Sequence, residues 1–534
     1  MKAFEDYFSF EAIAGDLVRW RLRGKDVGGT LPPRKMWSRA GLKGRKGISP
    51  EVIRRQAIWR TVMRVCGGAA GVRALPDFLW GRKLLALVEE VRMAVFSGAV
   101  AFEAPKMFKI EKGRENGVKK FREVASFERL LDRVILSRMT AYVRDRLESV
   151  LSESCYSFRK DASVTHQLAV AHLQKFRAQF PVGTLFVAEC DIKKFFDSIS
   201  HETVSRRWNE VGFEDAAGKV LEAYLGVYSA SETVRCGLPQ GGSFSTVLAN
   251  LVLAAADSVV KKVDDGRLFY ARYCDDVVFV HPDEVICRRA MEAYQAALAK
   301  LDLPMHPVRP FVYRPADGSA TEYYSIKSKG PFRWGEAGTG EPDCAPWVSF
   351  LGSQVRYDGE TRIRKESIEK HIRSLGRETA AAVREIKDGK VGGALGTARP
   401  TMAAWFARFR NRLIAKGVGY VTAKVQDCGM CWASAFPNVT ACADTKKQMR
   451  RLDRVREGML CKVWSSFAKV TADRQMVGGA IATSAPHPCE GKRDARPTRR
   501  YKGRPFSYFG FLEKAVRPTN MARRRIARLP YSAL

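Results

Sequence analysis

Two adjacent acids interrupt an otherwise apolar stretch. Tyr273-Cys274-Asp275-Asp276 lies between Leu268-Phe269-Tyr270-Ala271-Arg272-Tyr273 and Val277-Val278-Phe279-Val280. Two short runs rich in aromatic and β-branched residues, joined by a brief polar step, predict a β-hairpin with the acidic pair at its tight turn. A third carboxylate, Asp191, closes another apolar run, Leu185-Phe186-Val187-Ala188-Glu189-Cys190. Acids at the ends of buried strands are expensive to desolvate unless a cation accompanies them. Three acids from two separate strands can converge where one strand meets a hairpin turn. Two divalent ions held by such acids are what phosphoryl transfer to a nucleotide needs.

The rest of the composition narrows the partners. The 534 residues suffice for roughly three or four domains. A hydrophobic content of 46% allows ordinary buried cores, but the net charge is +34. Such a field speaks of partners rather than of fold, and nucleic acid is the first candidate because neutralised phosphates release counterions. A generally basic, soluble protein is the plain alternative. No run of about 20 apolar residues and no N-terminal signal pattern is present, so a cytoplasmic protein without a membrane partner is expected. The twelve cysteines show no disulfide spacing and read mostly as reduced, buried thiols. Cys428-Gly-Met-Cys431, with Cys442 and Cys461 beyond, admits a zinc site, although a second close ligand pair is lacking and a reduced structural pair is the simpler reading.

Along the chain, an amphipathic opening (Phe8, Phe10, Ile13, Leu17, Trp20) leads into a basic loop, Arg34-Lys35 through Arg45-Lys46, which is either a solvated linker or a phosphate-contacting arm. A helix is expected over about 80–97, a β-hairpin over 106–125, a helix over about 127–150 and a strand over 184–192. Gly237-Leu-Pro-Gln-Gly-Gly242 turns into a helix from Ser243 to about Val263. A strand is expected from Trp347 through Gly352 toward Tyr357. Beyond residue 365 the pattern is helical. Thr445-Lys-Lys-Gln448 has the form of a capping box, opening a helix with Met449, Leu452, Val455, Met459, Val463 and Phe467 on one face. The tail interleaves Arg499, Arg500 and Lys502 with Tyr501, Phe506, Tyr508, Phe509 and Phe511. That mixture suits single-stranded nucleic acid or docking of the rings onto the body.

The order of these motifs resembles the bacterial reverse transcriptases over about residues 100–370: Ser154-Cys-Tyr-Ser-Phe-Arg159, Asp191-Ile-Lys-Lys-Phe-Phe-Asp197, Gly237-Leu-Pro-Gln-Gly241 with Leu248-Ala-Asn-Leu251, Tyr273-Cys-Asp-Asp276, and Phe350-Leu-Gly352. The resemblance implies an α+β right-hand polymerase of fingers, palm and thumb with an α-helical basic C-terminal extension. It divides the chain into an N-terminal basic helical extension (1–100), fingers and palm (101–365), a helical thumb-like region (366–475) and a basic aromatic-rich segment (476–534). It implies that Asp191, Asp275 and Asp276 are catalytic, and that with Ile192 they hold two Mg2+ ions, Mn2+ being an alternative. Phe196 would exclude a 2′-hydroxyl, unless it is a core phenylalanine. Gln240 would pack near the incoming dNTP. Arg122, and more loosely Lys112, would grip its triphosphate, unless they are plain surface charges. Arg159, Tyr273 and Gly352 would contact nucleic acid, Arg159 with a supporting role in the fingers as the alternative. Thr246 stands where relatives often have proline, and Cys274 where alanine is usual. Lys327, in a long Gly/Pro-rich insertion, is a candidate proton donor to the leaving pyrophosphate.

Nothing after residue 365 resembles the nuclease of group II intron proteins, and the Asn-Ala-x-x-His segment of retron enzymes is lacking. By elimination the chain looks most similar to the abortive-infection, defence-associated class. That placement implies RNA-directed DNA synthesis in antiviral defence on a dedicated non-coding RNA, with a DNA product and with homo-oligomers left open. A group II intron-type reverse transcriptase and maturase, or untemplated synthesis primed on a protein hydroxyl such as Tyr501, Tyr508 or Tyr531, are the alternatives.

Overall fold

A computed structural model describes residues 2–22, 80–115, 118–161, 163–181, 183–310, 326–336, 344–388, 402–418, 431–475, 507–509 and 512. The basic loop around Arg34–Lys46, Cys428, Tyr501 and Tyr531 lie outside them. The chain forms two compact units interleaved in sequence. One comprises Met1–Thr165, Ala188–Pro310 and Lys327–Pro331; the other comprises His166–Val187, Phe311–Ile326 and Phe332–Leu534. The class is mixed α and β, as expected.

The first unit opens with a 3-10 turn, Phe4–Phe8, and α1 (Phe10–Leu22), followed by α2 (Trp80–Ser97). The hairpin β1 (Lys106–Glu115) and β2 (Val118–Ser126) comes next, then α3 (Leu130–Leu147). Its register slips between Glu111 and Gly113, which makes Lys112 a bulge. α4 (His166–Gln179) belongs to the second unit, and β3 (Leu185–Cys190) carries the chain back into the first. There follow α5 (Phe195–Ser198), α6 (His201–Val211), α7 (Asp215–Gly226), α8 (Ser243–Lys261), β4 (Phe269–Tyr273), β5 (Asp276–His281), α9 (Glu284–Ala299) and β6 (Val308–Arg309). α8 buries residues on all sides, from Phe244 and Leu248 to Leu253 and Asp257. Among the described residues it is the one helix long and apolar enough to cross a membrane, and most of it is packed inside the protein, as a core helix would be.

After β7 (Ser328–Trp334) the strands run in the order β4-β5-β3-β7-β6. β3 therefore lies between the β4–β5 hairpin and β7. That order puts β3, with Asp191 one residue past its end, next to β5, the strand that follows the Asp275 turn.

In the second unit β8 (Cys344–Ala345) pairs with β7, and β9 (Trp347–Phe350), β10 (Ser353–Arg356) and β11 (Thr361–Ile363) form an antiparallel sheet. The expected continuous strand from Trp347 toward Tyr357 is thus a hairpin. Leu351 and Gly352 both take left-handed φ values, +49° and +81°, which is what a two-residue hairpin turn uses. α10 (Lys365–Lys387), α11 (Met402–Val418) and α12 (Ala443–Gln475) follow. On α12 the predicted face is buried at Met449, Leu452, Val463 and Phe467. The capping box is not formed. α12 begins two residues before Thr445, whose backbone N–H points to Cys442 Sγ at 3.4 Å. Gln448 is drawn away by the β11 edge: its amide donates to Ile363 O at 2.6 Å and accepts from Ile363 N at 3.2 Å. Unpaired strand-edge groups outcompete a helix start for that side chain. In the tail, Tyr508 and Phe509 are docked and buried. Asp453 accepts both of their backbone N–H groups, at 2.9 and 3.1 Å, and Tyr508 Oη shares a 2.6 Å hydrogen bond with His371 Nε2. Tyr508 is therefore no exposed priming hydroxyl.

Candidate active site

The β4–β5 hairpin closes at Tyr273↔Asp276, which leaves Cys274 and Asp275 as a two-residue turn. Cys274 has φ +59°, a conformation that favours glycine. Asp275 is partly buried, and Asp276, the first residue of β5, reaches solvent. Burial and the charge of Asp191 raise the carboxyl of Asp275 above its usual range. Desolvation, then the charges of Asp275 and Asp191, push Asp276 up to about 6. Because Asp276 keeps an edge in water, like-charge repulsion is the firmer of these causes. The three acids thus sense one another.

Asp191 is fixed through its backbone: its N–H donates to Ser328 Oγ at 3.1 Å, and its carbonyl accepts from His306 N at 3.0 Å. Ile192 is buried and bridges to Met305. Lys327, exposed immediately before β7, donates to Asp191 Oδ2 at 2.7 Å. Two residues on, the buried Lys329 of β7 pairs with Glu189, so the start of β7 and the residue before it present a lysine to each of these two acids.

Among the described residues no three His, Cys, Asp or Glu side chains are gathered into a ready metal cluster. The donor chemistry nevertheless fits hard divalent cations, which take carboxylate and carbonyl oxygens. Three mutually repelling carboxylates are stabilised by added positive charge. Of the cysteines weighed for zinc, Cys431 and Cys442 are free buried thiols and Cys461 is disulfide-bonded.

The Gly237–Gly242 loop brings further predicted residues to the same side. Leu238 N donates to Phe196 O at 2.8 Å, and Gln240 Nε2 lies 3.4 Å from Asp197 Oδ1. Gln240 O accepts from Ala125 N at 2.6 Å, which fastens the loop to β2. Gly241 has φ +114°, and a Cβ there would stand 2.5 Å from Val124 Cγ1 and 2.9 Å from Ala125 O. Only glycine permits that approach. Arg122, exposed on β2, lies within electrostatic reach of both Asp275 and Asp197. Phe196 is partly exposed while its neighbour Phe195 is the buried one. Tyr273 is partly buried, its ring 6.0 Å from that of Phe158. The Lys112 side chain lies outside the described residues. Arg159 donates to Glu148 at 3.0 and 2.8 Å and to the Ser152 and Cys155 carbonyls at 2.7 and 3.2 Å; in this state it braces its own segment. Gly352 sits in the second unit, its carbonyl accepting from Arg364 N at 2.9 Å.

Sequence reasoning missed what stands behind the turn. Arg272, fully buried, forks onto Asp257 at 2.7 and 2.6 Å, and Tyr270 Oη donates to the same carboxylate at 2.6 Å. Asp257 keeps the guanidinium charged although burial opposes it. Arg272 Nη1 also reaches Asn250 Oδ1 at 3.0 Å, and Asn250 Nδ2 donates to Ser157 O at 2.7 Å. The available signal was polar residues in apolar runs: Arg272 in a strand, Asn250 and Asp257 in a helix.

Residues 110–308 match the family model described as Reverse transcriptase (RNA-dependent DNA polymerase), so this segment is a reverse transcriptase domain. A COX1/OXI3 intron 1 protein of Saccharomyces cerevisiae is 28% identical over 132 residues, 24% of this chain and 15% of that protein. Protein YkfC of Escherichia coli is 29% identical over 135 residues, 24% of this chain and 34% of that protein. The chain thus spans about a third or less of the length of these relatives. Among solved structures, apo telomerase from Candida tropicalis is matched over 88% of this chain and 85% of that one, at 11% identity and a TM-score of 0.34.

Proposed function

We propose that the chain is an RNA-directed DNA polymerase that adds dNTPs to a 3′-hydroxyl by two-metal-ion phosphoryl transfer. The observation that supports it most is the gathering of Asp275 and Asp276, both raised by burial and by the charge of Asp191, within a segment that matches the reverse transcriptase family. Asp191 and Asp275 would hold the ions, with Asp276 beside them and the Ile192 carbonyl as a further oxygen. When bound, the ions supply charge stabilisation to the attacking and leaving oxygens. Arg122 would bind the triphosphate, with Lys112 a second cation on the same hairpin. Phe196 would bear on the sugar, and Gln240 would line the nucleotide's floor. Tyr273 would support the primer end, with Gly352 and Arg159 on the nucleic-acid path. In this reading residues 101–365 serve as fingers and palm and 366–475 as a thumb-like region.

The finer placement, a defence-associated enzyme working on a dedicated non-coding RNA, is supported by the basic, helical C-terminal part. An intron-type enzyme is the rival, favoured by the similarity to an intron 1 protein. Both are tested by purifying the protein with its bound RNA, supplying labelled dNTPs and Mg2+, and sequencing RNA and product. RNase-sensitive synthesis copied from one small RNA supports the first; a product copied from an intron supports the second. Synthesis that survives RNase rejects the templated reading.

A further inference from the structure

The turn that presents Asp275 has a non-glycine residue where glycine is favoured, and both polar groups of its backbone are held. Cys274 N donates to Ser157 Oγ at 3.0 Å, and Cys274 O accepts from Arg272 Nη1 at 3.3 Å. The two partners are linked: Ser157 Oγ donates to Asn250 Oδ1 at 3.1 Å, the same oxygen that Arg272 reaches. Ser157, Asn250 and Arg272 are all buried. The segment bearing Ser157 is laced to the strand bearing Arg272, with Tyr156 N on Arg272 O and Arg272 N on Ser154 O, both at 2.8 Å. Pieces 154–159 and 272–276 therefore meet around the one residue Cys274, holding the peptide on either side of it, and Asn250 of 248–251 ties the two partners together.

A left-handed, β-substituted residue persists only where its surroundings over-determine it. Stability alone does not explain a buried charge here, because apolar replacement of such a pair is often neutral or better. We infer that Ser157, Asn250 and Arg272 are positioning residues: they clamp the Cys274 peptide in its left-handed conformation and thereby set where the Asp275 carboxylate stands. The inference rests on the polymerase reading only for its consequence in turnover, not for the clamp itself.

Glycine needs no clamp to hold φ +59°, and this separates positioning from general support. Ser157→Ala removes one oxygen, and a misplaced catalytic carboxylate lowers kcat by about 10- to 100-fold with KM for dNTP nearly unchanged. Cys274→Gly alone keeps kcat near wild type. The double variant regains most of the lost rate. In thermal unfolding the two substitutions are non-additive, Cys274→Gly returning part of the Tm lost with Ser157→Ala. Should Ser157→Ala not fold, Ser157→Cys, isosteric and a weaker hydrogen-bonding group, replaces it. Additive Tm changes, or a rate that glycine does not restore, overturn the clamp. The thermal cycle is read without turnover, so its failure is distinct from that of the polymerase reading, which a wild-type protein inert toward dNTPs would defeat.

Discussion

Asp257 and Asp275 belong to the same unit and carry the same side chain, but their surroundings oppose each other. Asp257 is 1% exposed and neutralised by a bidentate guanidinium and a phenol. Asp275 has no ion-pair partner among the described residues, and burial together with the charge of Asp191 raises its pKa. One acid has its charge satisfied by the protein; the other is kept among like charges at a turn. The fold uses Asp257 for itself and holds Asp275 for something added. A carboxylate that repels its neighbours is destabilising until a cation arrives.

The comparison breaks most visibly through Asp257. Asp257→Ala leaves the Arg272 charge buried and unpaired, at a cost of about 3–5 kcal/mol, read by urea unfolding. Asp257→Leu with Arg272→Met should recover much of that stability but not the rate, because the clamp on Cys274 is gone. Asp275→Asn, by contrast, leaves the metal-free protein as stable as wild type or more so. Equal losses from Asp257→Ala and Asp275→Asn would erase the distinction.

Gly241→Ala comes next. Its Cβ would strike Val124 and Ala125 O at a φ that disfavours alanine, costing about 1–3 kcal/mol. Because the Gln240 loop is tied to β2 there, KM for dNTP should rise more than kcat falls. A smaller effect belongs to Lys327, whose ammonium occupies Asp191 Oδ2. Lys327→Ala should tighten Mn2+ binding a few-fold, measured by calorimetry without substrate; unchanged binding would mean that the contact is only incidental.

The smallest effect is pH dependence. With the folded pKa of Asp276 raised to about 6, the folded metal-free protein binds more protons than the unfolded chain between the ordinary carboxyl range and that value. This acid's contribution therefore falls as pH rises through that window. Wild type should lose Tm relative to Asp276→Asn over that interval, and Mg2+ should reverse the trend. Parallel Tm curves would place Asp276 outside the charge cluster.

Much of this was legible in sequence where pattern is local. The alternation around Tyr273–Asp276, the unbroken apolar α8 and the face of α12 each follow from short-range periodicity, and the structure forms all three elements. Long-range pairings were not legible. Gln448 was read as capping its own helix, because nothing near it announces the β11 edge. The hairpin at Leu351–Gly352 was hidden by a leucine in a conformation leucine rarely takes. The Arg272–Asp257 pair and its link to Ser157 join residues far apart in sequence, with only their polarity in apolar runs as a hint. Of the candidate site, the acids, Arg122, Phe196 and Gln240 fall in one unit, whereas Gly352 falls in the other.

The most direct test of the central claim sets wild type beside Asp275→Asn in Mg2+, with the same bound RNA and labelled dNTPs. Removing one ion-holding carboxylate should lower incorporation by at least about 1000-fold, several kcal/mol of transition-state stabilisation, while RNA retention stays at the wild-type value. Incorporation by Asp275→Asn at the wild-type rate would contradict the assignment of these acids as the catalytic centre.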